Sequence, residues 1–229
     1  MDLAGSLRSV IERIKKTAEG TGRDASDVKL VAVTKGVEPG RVIEAVRAGQ
    51  LAFGENYAQE FRIKKEVVGK AVNGDVEWHF IGRLQRNKVK YLIGEVALIH
   101  SLDSLSVARE IEKKAASHGI TVPALIEVDT GGEETKGGVR LEELEGFLKS
   151  LEEFPSIDVR GLMTMPPYFD DPERARPYFR ALRETRDKLK TAYPGLVELS
   201  MGMSGDFEAA IEEGATLVRV GTAIFGPRD

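Results

Sequence analysis

The chain has 229 residues, is 41% hydrophobic and 31% charged, and carries a net charge of −4, the balance of an ordinary globular domain. It contains no cysteine and only three histidines, so disulfides and thiolate metal sites are excluded and a histidine-based metal site is not expected. No long basic block marks a nucleic-acid binder, and no apolar run approaches the roughly 20 residues needed to cross a bilayer. The amphipathic start does not read as a signal peptide, and a soluble, cytoplasmic protein is expected.

Leu3, Leu7, Val10, Ile11, Ile14 and Ala18 recur at helical spacing, which predicts a lead helix closed by Gly20 and Gly22. Lys29-Leu30-Val31-Ala32-Val33-Thr34-Lys35 then reads as a buried strand ending in a lysine. From there strands and helices alternate. Strands are predicted at Leu51–Asn56, Glu77–Gly82, Ala97–Leu102, Val122–Val128, Ile157–Met165, Glu198–Met203 and Leu217–Phe225. Helices are predicted at Pro39–Ala48, Tyr57–Lys70, Gln85–Ile93, after Asp103 as N-cap to about His118, at Leu141–Phe154, after Asp171 to Tyr193, and at Phe207–Glu213. Pro177 either kinks its helix or begins it.

Eight strands separated by helices imply parallel pairing with crossovers. The reading is an α/β protein, a (β/α)8 TIM barrel whose usual size is about 250 residues, with an extra N-terminal helix and no helix after the eighth strand. The lead helix would cover the missing place between the last strand and the first. An open doubly wound sheet is the competing architecture. Without a linker or low-complexity segment, residues 1–229 read as one domain.

Ligands of such barrels sit at the C-terminal ends of the strands. Lys35 stands at one. A lysine there either pairs with a carboxylate or sheds its proton, as Schiff-base lysines do. Ser200-Met201-Gly202-Met203-Ser204-Gly205 leads into a helix, and Arg219-Val220-Gly221-Thr222 offers a second turn. Together they suit a phosphate between the loops after strands seven and eight, although Ser204 also reads as a plain N-cap and Gly221 as a plain turn. Arg219 and Gly221 share a strand face. If that face is the interior, the guanidinium needs a carboxylate or a ligand. His79, between Trp78 and Phe80, reads first as a satisfied core residue. Arg83, Arg86, Lys88 and Lys90 read as a solvated face or a phosphate-steering cluster, and Lys136 as a loop lysine or a second amine near the pocket. A Schiff-base lysine with a phosphate cup implies a phosphorylated aldehyde such as pyridoxal 5′-phosphate.

In combination, Val31–Lys35, Phe53-Gly54-Glu55-Asn56, Trp78–Gly82 with Leu84-Gln85 and Asn87-Lys88, Gly161-Leu162-Met163, Ser200–Ser204 and Arg219–Thr222 resemble the pyridoxal phosphate homeostasis protein family, also known as the proline synthetase co-transcribed proteins. That family's fold is similar to the N-terminal barrel of alanine racemase, and the resemblance covers nearly the whole chain. It implies a lysine aldimine on Lys35, phosphate contacts from Ser204, Gly221 and Thr222 with Met203 beside them, Arg219 facing the pyridine nitrogen, and Asn56 and His79 near the cofactor. It implies a carrier or regulator in vitamin B6 and amino-acid balance without a settled catalytic activity, with pyridoxal-phosphate-dependent apoenzymes as recipients. A monomer is expected, without nucleic-acid or membrane partners. The alternatives are an amino-acid racemase on the same barrel and a cofactor-free Schiff-base aldolase. Alanine racemase adds a β-domain that supplies a catalytic tyrosine, and the chain's end at Asp229 leads to the expectation that this domain is missing.

Overall fold

A computed structural model describes residues 2–72, 74–132 and 137–227. Its strands are β1 (Lys29–Val33), β2 (Ala52–Glu55), β3 (Glu77–Phe80), β4 (Leu98–Leu102), β5 (Val122–Asp129), β6 (Val139–Arg140), β7 (Ile157–Met163), β8 (Glu198–Ser200) and β9 (Leu217–Val220). All pair in parallel, in the order β4-β3-β2-β1-β9-β8-β7-β5, and a β4–β5 pairing closes the ring. Eight strands therefore form a closed parallel barrel, and the short β6 hangs on the outer end of β5, with Val128 opposite Val139. The open-sheet alternative is excluded by that closing pair.

The helices are α1 (Leu3–Gly20), α2 (Pro39–Arg47), α3 (Ala58–Ala71), α4 (Leu105–His118), α5 (Leu144–Leu151), α6 (Arg176–Leu189), α7 (Phe207–Glu212) and α8 (Thr222–Phe225). The lead helix α1 buries Leu3, Leu7, Val10, Ile14 and Ala18, a stripe of period three and four. It packs against α2, α7 and α8, which is the expected place between the last and first strands. Most of the core lies between the strands and this helical ring. Inside the barrel, Val31, Leu98, Leu125, Met163 and Leu217 form a separate apolar cluster.

Several boundaries differ from the sequence reading. The strands expected to reach Gly82, Met165, Met203 and Phe225 stop at Phe80, Met163, Ser200 and Val220, because their last residues leave the ladder for the turns at the C-terminal end of the barrel. After β9 the chain makes a single helical turn, Thr222–Phe225, where no helix was expected. The basic segment is a 3-10 helix, Arg86–Tyr91. Asp103 is not the N-cap of α4: Ser104 holds that position without a side-chain cap bond. Pro177 begins α6 rather than kinking it, after a 3-10 turn at Pro172–Ala175 that Asp171 caps through the Glu173 N–H. Lys136 lies outside the described residues.

Leu7 tests the role of α1. Leu7→Ala should lower the unfolding free energy by about 2–5 kcal/mol, while Ile11→Ala, on the exposed side of the same helix, should stay within about 0.5 kcal/mol of wild type. Denaturant titration checks both.

Candidate functional site

Lys35 lies two residues beyond β1, half-buried, with its Nζ 5.6 Å from the centre of the Tyr57 ring. It makes no hydrogen bond or ion pair among the described residues, so the salt-bridged alternative does not hold. The nearby carboxylates are engaged by another lysine. Lys64, on α3 and 4% exposed, donates to Glu55 Oε1 at 2.7 Å, Glu60 Oε2 at 2.9 Å and the Thr34 carbonyl at 2.5 Å. Thr34 Oγ1 donates to the same Glu55 oxygen at 2.5 Å, and Glu60 accepts from the Gly36 N–H at 2.8 Å. The residues on both sides of Lys35 are thus tied to one buried ion cluster. All three ammonium protons of Lys64 are used on these acceptors. Burial pushes the Glu55 carboxyl up, against the pull of Lys64 and Thr34, and its Oε2 has no partner.

Asn56 follows β2 and is half-buried. A Cβ on Gly82 would stand 2.2 Å from its carbonyl oxygen, so only glycine lets the ends of β2 and β3 approach this closely. The β8 turn has a similar requirement. Gly202 has φ +91°, and a Cβ there would meet Ala210 at 2.6 Å. Beyond it the Met203 N–H donates to Asp206 Oδ1 at 2.6 Å. Asp206, not Ser204, precedes α7 as its N-cap. The Ser204 hydroxyl instead reaches the next strand's turn, accepting from the N–H groups of Gly221 and Ala223, each at 3.3 Å. Long bonds from two converging amides leave donor capacity for a stronger acceptor. Thr222 lies between them, exposed, at the start of α8.

Arg219 points into the barrel and is 4% exposed. Its Nη1 donates to Ser200 Oγ at 2.5 Å and its Nη2 to the Thr164 carbonyl at 2.9 Å. Among the described residues it has no carboxylate in ion-pair contact, so of the two alternatives the Arg–carboxylate pair does not form and neutral acceptors meet the guanidinium. Burial lowers the guanidinium to about 10 against the opposing fields of Glu127 and Asp206. Glu127, on β5, is pushed up to about 7 by burial and by Asp103, with Arg219 and Arg83 pulling the other way.

His79 is fully buried and satisfied, as the plain reading had it, but it does not stand at a strand end. Its Nδ1 meets His100 Nε2 at 2.8 Å and its Nε2 meets Glu77 Oε1 at 2.9 Å. It borders a cavity of about 290 Å³ at the N-terminal mouth of the barrel. Arg83 and Arg86 are exposed and line a separate cavity of about 680 Å³ with Asp103 and Ser104. No group of three or more potential metal ligands occurs among the described residues, and no described helix is long and apolar enough to cross a membrane.

Sequence reasoning missed Lys64 and Glu127, and it gave Ser200 and Thr164, though at strand ends, no role of their own. Glu127 carried a signal, being the one charge in the apolar strand Val122–Val128. Lys64 carried none, since one lysine in the charged run of an amphipathic helix looks like any other.

A closed parallel barrel with a strand-end lysine, two converging turns and a buried arginine defines a protein of the alanine racemase N-terminal type, and the family model described as "Alanine racemase, N-terminal domain" matches residues 5–229. A pyridoxal phosphate homeostasis protein of Aquifex aeolicus is 52% identical over 229 residues, covering 100% of this chain and 99% of that one. The Escherichia coli protein of the same name is 36% identical, with 100% and 97% covered. Among solved structures, PipY of Synechococcus elongatus with PLP bound superposes with a TM-score of 0.85 at 31% identity, covering 98% of this chain and 100% of that one. The chain belongs to the pyridoxal phosphate homeostasis protein family. Alanine racemase of Corynebacterium glutamicum shares the fold at 20% identity and a TM-score of 0.69, with 96% of this chain and 62% of that one covered.

Glu127 gives a pH-dependent prediction. Its folded value lies above the ordinary 4.5, so its protonated form favours the fold below pH 4.5, and that contribution is lost as pH rises through about 7. Relative to Glu127→Gln, the wild type should lose up to about 3 kcal/mol across that window. Parallel stability–pH curves for the two proteins would contradict the assignment.

Proposed function

We propose that this protein binds pyridoxal 5′-phosphate, holds it covalently through Lys35, and takes part in managing the supply of that cofactor and in amino-acid balance. One observation carries the reading. β1 and β9 are neighbours, with Val31 opposite Arg219 and Ala32 opposite Val220, so Lys35, without a polar partner among the described residues, and the Gly221 turn close adjacent strands. The donor set fits the group: an amine for the aldehyde, converging amides and the Ser204 hydroxyl for the phosphate, and a buried donor for the ring nitrogen. PipY, similar along its whole length, is a PLP-bound relative. The cofactor supplies an aldehyde and an electron-withdrawing ring.

The chain's residues would divide the work as follows. Gly221, Thr222 and Ser204, with Met203 beside them, bind the phosphate, and Asn56 lines the pocket. The Lys64 cluster orients the backbone on both sides of Lys35. Arg219 donates to the ring nitrogen. Arginine offers no acceptor and keeps its proton, so a nitrogen facing it must accept and stays unprotonated. That weakens the electron sink and favours retention over carbon-acid chemistry, which is the property a carrier needs. His79 acts at a distance, through the groups between it and Arg219. The proposed working form is a monomer that passes cofactor to pyridoxal-phosphate-dependent apoenzymes.

Borohydride reduction of the loaded protein, followed by peptide mass spectrometry, tests the attachment. A pyridoxyl adduct is expected on Lys35 and lost in Lys35→Ala, which should retain weak, phosphate-dependent binding. An adduct recovered from another peptide of the wild type would overturn the assignment.

A further inference from the structure

The middle layers of such barrels are usually filled by branched apolar side chains. Here a line of polar groups crosses the interior from one mouth to the other. Lys29 Nζ donates to Glu77 at 2.9 and 3.0 Å, and Glu77 Oε1 meets His79 Nε2 at 2.9 Å. His79 Nδ1 meets His100 Nε2 at 2.8 Å, and His100 Nδ1 meets Ser200 Oγ at 2.9 Å. Ser200 Oγ accepts from the Arg219 Nη1–H at 2.5 Å. The two rings, Ser200 and Arg219 are all buried.

The ends of the line fix its sense. Arg219 can only donate. Glu77, held at about 2 by the His79 bond and by Lys29, can only accept near neutral pH. Ser200 therefore accepts from Arg219 and is free to donate its own proton to His100 Nδ1. His100 Nε2–H then donates to His79 Nδ1, and His79 Nε2–H to Glu77. Every donor meets one acceptor, with both rings neutral and protonated at Nε2. Burial, with Arg219 close by, keeps His100 in that neutral form.

A third proton on the pair has one place to go. The His79–Glu77 and His79–His100 links already hold a proton each, so it must sit at His100 Nδ1, facing Ser200. Ser200 Oγ then receives hydrogen bonds from two sides, its own hydroxyl proton is displaced from the line, and the added positive charge is shared along the His79–His100 bond between Glu77 and Arg219. The protonation of the histidine pair is thus read at Arg219, across the barrel.

We propose that His79, His100 and Ser200 are positioning residues for Arg219, and that proton uptake by the histidine pair, biased by the charges at the N-terminal mouth, loosens the Arg219 hydrogen bond at the other end. Those charges are Glu77, Lys29, Asp27, Arg160 and Glu198 around the cavity that His79 borders. From the site side, Arg219 faces the pair through Ser200, and Glu127 and Asp206 act on Arg219. The consequence for a bound ring nitrogen rests on the proposed function, but the line itself does not.

The test uses the full chain without cofactor, so a failure of cofactor binding and a failure of this coupling are distinguishable. Nitrogen-15 NMR of the histidine rings and the Arg219 guanidinium is followed from pH 8 downward. At the start both rings should be neutral with Nε2 protonated. On acidification the histidine and Arg219 signals should shift with a common midpoint. In Ser200→Ala the histidines should still titrate while the Arg219 shift is lost. Glu77→Gln, a change at a half-exposed side chain, removes the carboxylate that favours the charged pair, and both midpoints should move to lower pH together. The proposal is overturned by a His100 ring protonated at Nδ1 at pH 8, by no histidine titration before the fold is lost, or by an Arg219 signal that ignores the histidines. It is equally overturned if Arg219 follows them unchanged in Ser200→Ala, which would indicate field effects alone, or if Glu77→Gln moves the histidine midpoint without that of Arg219.

Discussion

A guanidinium sealed inside a barrel is expensive to desolvate, and much of this interior is arranged around that cost. Arg219 meets it with a hydroxyl and a backbone carbonyl rather than a carboxylate. The choice has consequences in three neighbouring strands. β8 must carry Ser200 inward, β7 must end so that the Thr164 carbonyl is free, and Thr164 is itself tied down by its hydroxyl bond to the Val128 carbonyl at 2.9 Å. Because nothing in direct contact neutralises Arg219, its field reaches outward and opposes the burial that raises Glu127. A carboxylate partner would have removed that field and placed an acceptor beside the guanidinium. Neutral partners keep the arginine a donor toward whatever faces it.

Lys35 solves the opposite problem. A pocket amine is useful only if nothing else in the protein claims it, yet carboxylates lie close by. Lys64 occupies them, and in doing so it fixes Thr34 and Gly36. Removing either partner of so buried a pair leaves an uncompensated charge. Site geometry and local stability are therefore coupled on α3 and β2, one layer away from Lys35.

The parts of this architecture that depend on local pattern were legible. The alternation of strands and helices, the buried stripe of α1, the lysine at the end of β1 and the shared strand face of Arg219 and Gly221 follow from periodicities of 3.6 and 2, whereas which face points inward did not. Strand ends were less legible, because at Gly82, Met165 and Met203 apolar or small residues continue past the last ladder bond. The one-turn helix after Gly221 was hidden in the same way, since Ala223-Ile224-Phe225 extends an apolar run. The contacts that define the site were not legible at all. Ser200 lies 100 positions from His100, and only barrel closure brings them within a hydrogen bond. His79 read correctly as a satisfied core residue, but its partners could not be guessed from its apolar neighbours.

The central claim is that Arg219, held by neutral acceptors, remains a donor and keeps a bound pyridine nitrogen unprotonated. Nitrogen-15 NMR of ring-labelled pyridoxal phosphate in the wild-type protein at neutral pH measures this directly. The account predicts the chemical shift of an unprotonated, hydrogen-bond-accepting nitrogen; the shift of a protonated pyridinium would contradict it.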